Sequence, residues 1–289
     1  KEAHDVVALG ATAVKILYVA GCFVPCLGVI RLIERVRCGV PLHLTNVRNE
    51  LAYYTCIVQT LAMHAASPTL SLPSTPHART LGSTLSIPST SCRPLFFIGD
   101  SHVIPAAWSS VQVGEESRLL VPALVTGIKA WHLRKDSLFY PRINFEAVAG
   151  RIPRGAEAVV CIGEIDCREG IPAAVRKLRY KDEDAGIANV VSILVDVLIS
   201  FAAKLSLKLY IHPVPPVLEP TRSTVSKFNA TLRTAVHRDA ASRLHWLDLE
   251  PVLHGSDTDK TTFNSELEFD GTHLNPNYVS ALGKAISEV

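Results

Sequence analysis

Five short apolar runs, rich in β-branched residues, punctuate the C-terminal part of the chain: Leu95 to Ile98, Leu119 to Val125, Ala156 to Ile162, Leu207 to His212 and Leu244 to Leu249. Each has the length of a strand buried on both faces, which shows no polar alternation. Between the third and fourth, Ile187, Val190, Val191, Leu194, Val197, Leu198 and Phe201 recur at three- and four-residue steps, the stripe of a packed helix. A second helix is predicted from about Thr221 to Arg243. A third follows Asn275, which can cap it ahead of Pro276 at the first helical position. Strands alternating with helices predict an α/β fold, a parallel sheet with helices on both faces and so three layers. The reactive loops of such a sheet gather at the C-terminal ends of its strands.

The pattern differs upstream. Ser, Thr and Pro dominate between Ser67 and Arg93, and prolines break both helix and sheet, so residues 67–93 read as a linker. It divides a segment of residues 1–66 from an α/β domain of residues 94–289. From Val6 to Ile33 the chain is almost continuously apolar, long enough for a bilayer of about 30 Å. Gly21, Pro25 and Gly28 predict a break, however, and Arg31, Glu34, Arg35 and Arg37 then make one face polar. A helical hairpin fits better than a single span. Leu17 to Phe23 is echoed by Leu51 to Ile57, an offset of 34 positions (51 minus 17), the period of a tetratricopeptide repeat. Residues 6–66 are therefore expected to contact the α/β domain, a protein partner or a membrane. No basic stretch leading into a short apolar core and a small-residue cleavage site is evident.

Composition narrows the class. The 289 residues are 48% hydrophobic and 19% charged with a net charge of +2, the profile of a globular protein. Lys and Arg are scattered, with no basic stripe interleaved with aromatics, so no nucleic-acid partner is expected. Seven cysteines, an odd number without compact spacing, favour a reducing and hence intracellular setting, cytoplasm or organelle, with membrane association left open. Cys22 and Cys26 have no second ligand pair, so no metal site is expected.

Candidate chemistry sits where apolar runs stop. Gly99-Asp100-Ser101-His102 ends the first run, and Asp270-Gly271-Thr272-His273 lies near the C-terminus. A serine hydroxyl is a weak nucleophile until an imidazole takes its proton, and the imidazole needs a carboxylate to hold its tautomer and orientation. Ser101, His273 and Asp270 can fill those roles. Two further segments lie between them, Val125-Thr126-Gly127-Ile128 and Gly163-Glu164-Ile165-Asp166-Cys167-Arg168. His212 ends the fourth run and opens a proline-rich loop at the same edge of the predicted sheet.

With these blocks the chain resembles the SGNH (GDSL-like) hydrolases over roughly residues 94–289. It looks closest to a branch written Gly-Asp-Ser-His and Gly-Glu-Ile-Asp-Cys-Arg, associated with polysaccharide-related proteins. The resemblance implies a flavodoxin-like three-layer sheet and ester hydrolysis without metal or organic cofactor. It matches Ser101 to the nucleophile, Gly127 to the second-block glycine, Gly163 and Asp166 to the ends of the third block, and Asp270 and His273 to the terminal pair. The family oxyanion site uses backbone N–H groups of the nucleophile and the glycine, here Ser101 and Gly127, together with a third-block Asn. That Asn is Ile165 here, which has no side-chain donor. Arg168 could substitute as a charged fork of donors, or could neutralise Glu164 or Asp166. His102, Gly163, Glu164, Asp166 and His212 are the expected substrate-lining residues. Two functions follow as expectations: a serine esterase or deacylase acting on a small-molecule or carbohydrate ester, or a catalytically weak SGNH-fold subunit of an assembly.

Overall fold

A computed structural model describes residues 2–37, 48–66, 92–238, 243–254 and 262–289. Most of the expected linker, residues 67–91, and Cys38 lie outside the described residues. The chain forms α1 (Glu2–Val19), α2 (Phe23–Arg37), α3 (Arg48–Ala66), β1 (Arg93–Gly99), β2 (Ser110–Val113), β3 (Glu116–Leu124), α4 (Tyr140–Ala149) and β4 (Glu157–Cys161). After these come α5 (Ile171–Arg176), α6 (Glu183–Leu205), β5 (Lys208–Ile211), α7 (Arg222–Arg238), β6 (Leu244–Trp246), α8 (Glu250–His254) and α9 (Val279–Ser287).

The six strands form one sheet in the order β2-β3-β1-β4-β5-β6. Neighbours from β3 to β6 pair in parallel, whereas β2 runs antiparallel to β3. The architecture is thus α/β and compatible with three layers, but the expected all-parallel sheet is corrected to a mixed one. A tight turn causes it. Gly114, at φ +59°, reverses the chain between Val113 and Glu116, and only a residue free of Cβ strain adopts that conformation readily. The resulting edge strand is covered by α9, where a Cβ on Gly283 would lie 2.1 Å from the Gln112 carbonyl oxygen. Glycine alone permits that approach.

Each apolar run of the sequence became a strand, shifted by up to three residues at its ends. Asp182 caps α6 by accepting the Ala185 N–H at 2.9 Å, and of the expected stripe Ile187, Val190, Val191, Leu194 and Leu198 are buried while Val197 and Phe201 are half-buried. Asn275 likewise accepts the Asn277 N–H at 3.0 Å, starting a single 3-10 turn that leads into α9.

The N-terminal helices share the hydrophobic core of the sheet. Trp108 is the pin: its indole N–H donates to the Tyr18 carbonyl at 2.8 Å, its ring meets Phe23 edge-on, and the Tyr18 hydroxyl donates to the Ile104 carbonyl at 3.2 Å. The chain breaks between α1 and α2 at Ala20 to Cys22. The 34-residue echo is not a structural repeat, because Leu17 to Phe23 spans a helix end and a turn while Leu51 to Ile57 lies inside α3. Among the described residues, α6 is the one helix long and apolar enough to cross a membrane, and it packs as a core helix.

Candidate functional site

The strand ends bring the motif residues to one edge of the sheet. β1 runs into a 3-10 turn at Ser101–Val103, with Asp100 Oδ1 accepting the His102 N–H at 3.0 Å. Ser101 is half-buried, whereas Asp100 and His102 are buried. Beyond β3, Gly127 takes φ +65°. Beyond β4, Gly163 takes φ +136° with Phe228 and Val214 against its backbone, so that a Cβ there would fall within 3 Å of both side chains.

Asp270 and His273 form the tightest unit. The Asp270 carboxylate accepts the backbone N–H groups of Thr272 and His273 and holds His273 Nδ1 at 2.7 and 2.9 Å. Burial would raise the Asp270 pKa, but the His273 contacts outweigh it and hold the carboxyl below its ordinary range. His273 is fully buried, and its Nε2 has no hydrogen-bond partner. The bond from Ser101 Oγ to that nitrogen is not formed. Nucleophile–base hydrogen bonds are often long before substrate binds.

Beside this pair stands a second buried cluster. The His102 ring meets that of His273 edge-on at 5.0 Å, and His102 Nε2 lies 3.9 Å from Glu164 Oε2. Burial opposes a charge on His102, yet the carboxylates of Asp100 and Glu164 raise its pKa. For Glu164, burial is outweighed by His102 and Arg168, and its carboxyl is held at about 2. Burial raises the Asp100 carboxyl.

The other expected site residues have identifiable tasks. Arg168 directs Nε and Nη2 to Glu164 at 2.8 and 3.4 Å and Nη1 to Glu169 at 3.2 Å, so its fork neutralises carboxylates. Asp166 is fully buried and accepts the Ala130 and Trp131 N–H groups at 2.6 and 3.2 Å, bracing the loop beyond Gly127; burial pushes its carboxyl up to about 7. His212 is buried against Phe97 and Tyr278, with Nδ1 on the Pro213 carbonyl, and burial lowers it to about 4.

Two residues from the N-terminal segment reach the site, and no spacing in the sequence announced either. The Tyr53 hydroxyl accepts the Gly127 N–H at 3.4 Å. Cys56 joins Asp270 and His273 in a set whose ligand-type atoms lie within 4.8 Å of one another. Asp100, His102 and Glu164 form a second such set. These two sets are where a cation could be held, although burial keeps the Cys56 thiol protonated and Asp270 and Glu164 already pair with basic side chains. Next to the Asp166 loop lies a cleft of about 500 Å³, lined by Lys129, Trp131, Arg168, Arg176, Arg179 and Tyr180 among others.

No family model and no curated protein matches the chain. Among solved structures, the OSK domain of Drosophila Oskar is similar, with 13% identity over 66% of this chain and 86% of that one and a TM-score of 0.38. A likeness of that size carries no argument about function.

Proposed function

We propose that the protein is a serine ester hydrolase of SGNH type. The observation that carries the reading is the Asp270–His273 unit, with Nδ1 clamped and Nε2 buried and without a partner, in the ring-contact neighbourhood of the turn that bears Ser101. That is the state of an imidazole prepared to take a proton. In this reading Ser101 Oγ attacks the acyl carbon, His273 Nε2 accepts its proton and returns it to the leaving alcohol, and Asp270 stabilises the imidazolium. The Ser101 and Gly127 N–H groups face the oxyanion. Water then releases the acyl group by the same route in reverse. Strand order supports the fold assignment: the five parallel strands, numbered along the chain, lie 2-1-3-4-5, the flavodoxin-like order. An acylated carbohydrate is the favoured substrate, because the cleft beside the third block offers Trp131 and Tyr180 with basic side chains around them. An intracellular location goes with this reading, since the six described cysteines are free thiols.

A fluorophosphonate probe tests the proposal without knowledge of substrate. Wild type should be labelled and should hydrolyse short aryl esters, and Ser101→Ala should lose both. An unlabelled wild type overturns the reading in favour of the second one, an inactive subunit, which draws on the unformed Ser101–His273 bond and the absent amide at Ile165.

A further inference from the structure

Ile165 leaves the oxyanion site one donor short, and Arg168 is paired with Glu164 and Glu169. The Gly127 N–H is met by the Tyr53 hydroxyl, which comes from α3. We propose that Tyr53 is the third oxyanion donor, so that the N-terminal helices complete the catalytic site. This inference rests on the hydrolase reading above.

Three observations carry it. First, the Tyr53 hydroxyl accepts the Gly127 N–H at 3.4 Å, which places its oxygen within one hydrogen-bond length of a group that would bind the oxyanion. Because that oxygen accepts from Gly127, its own proton remains available to an oxyanion lying about 2.7–3.1 Å from both donors. The long Gly127 contact is a weak bond, easily exchanged for a charged acceptor. Second, the phenol stays a donor at neutral pH: burial raises its pKa well above the ordinary tyrosine value, and the Asp100 charge adds to that. Third, the ring is held. Lys15 of α1 sits over it at 4.7 Å from the ring centre, and Lys15 is itself fixed by both carboxylate oxygens of Glu50 at 2.6 and 2.7 Å. A donor that contributes in the transition state must be fixed in advance, and a buried ring between a paired lysine and the Gly127 loop meets that condition.

The test uses the full chain. Tyr53→Phe keeps the ring and removes the hydroxyl; its kcat for aryl ester hydrolysis should fall about 100- to 1000-fold, as for the loss of one oxyanion donor, with KM within a few-fold of wild type. Tyr54→Phe removes a neighbouring buried hydroxyl, one that donates to Glu34 at 2.6 Å, and should leave turnover unchanged. Should Tyr53→Phe fail to fold, 3,5-difluorotyrosine at position 53 keeps the shape while acidifying the phenol, and the alkaline loss of activity should then move to lower pH. Unchanged turnover in Tyr53→Phe, or an unmoved alkaline limb in the fluorinated protein, overturns the proposal. A rise in turnover also overturns it, since Tyr53 would then be a plug on the Gly127 N–H. If wild type itself neither labels nor turns over, the hydrolase reading has failed, an outcome separate from any difference between wild type and Tyr53→Phe.

Discussion

Trp108 offers the sharpest stability test, because it combines a buried side chain with a backbone that a side chain should avoid. It is 1% exposed, donates to the Tyr18 carbonyl, and lies against Gly21 and Phe23 at the turn between α1 and α2. Its φ is +66°, the left-handed region that costs a residue bearing a Cβ about 1–2 kcal/mol. Truncating a buried tryptophan to alanine costs about 3–5 kcal/mol, lost burial and the cavity taken together. Trp108→Ala keeps the Cβ and therefore the backbone strain, whereas Trp108→Gly opens the same cavity and relieves it. Glycine should thus be less damaging than alanine by about 1 kcal/mol, the reverse of the usual ranking. With a urea slope of about 3 kcal/mol per molar, Trp108→Ala should lower the unfolding midpoint by about 1–1.7 M and Trp108→Gly by about 0.3 M less. Since the helices and the sheet share one core, a single transition is expected for both. Midpoints within about 0.3 M of wild type would refute the pin, and a glycine variant weaker than the alanine one would refute the strain argument.

Two pH experiments should give opposite signs. Asp166 titrates near 7 when folded and near its ordinary 3.8 when unfolded, so the native state holds the extra proton between those values and stability falls as pH rises from about 4 to 7. Asp166→Asn should lose that slope, at roughly 1.4 kcal/mol per pH unit, and urea midpoints at pH 4.5 and 7.5 should show the variant gaining on wild type at the higher pH; a constant gap would refute the assignment. For His212 the folded value is about 4 against 6.5 unfolded, so the unfolded chain takes up the proton and stability falls as pH drops from about 6.5 to 4. His212→Gln should therefore be most destabilising relative to wild type at pH 7.5 and less so at pH 4.5, and the reverse trend would show that the imidazole is charged in the fold.

Much of the sheet was legible because a strand buried on both faces leaves an uninterrupted apolar run, as at Leu95 to Ile98 and Ala158 to Ile162. β2 was not, because only Val111 of its four residues is buried, and an edge strand of that length leaves no run to detect. Helix α4 was missed for a related reason: of Tyr140–Ala149, Pro141, Phe145 and Ala149 face inward, an inward stripe at four-residue spacing but too short to stand out from the loop before it. Within the site, spacing identified Asp270 and His273, since their pairing is local and closes through one carboxylate. Tyr53 and Cys56 were illegible. Their relation to Gly127 and His273 depends on how α3 docks, which a single sequence does not encode in any short pattern.

The same docking changes what the Ile165 departure means. On the hydrolase reading, an apolar residue at that position costs an α/β domain acting alone about 100- to 1000-fold in turnover with nothing to replace it. The structure instead closes the Gly127 loop with Tyr53 and places Cys56 beside His273, so the helical segment lies against both halves of the site. It is tied to the sheet through Trp108 and to the site through Lys15, Glu50 and Tyr53. A charge buried at Glu164 is likewise balanced by His102 and Arg168. The Trp108–Tyr18 and Tyr53–Gly127 bonds cross between the N-terminal helices and the α/β domain, and the His102–Glu164 contact joins two of its strand-end loops. On the hydrolase reading the site therefore belongs to the whole chain, and removing the N-terminal helices would remove a wall of it together with part of the core.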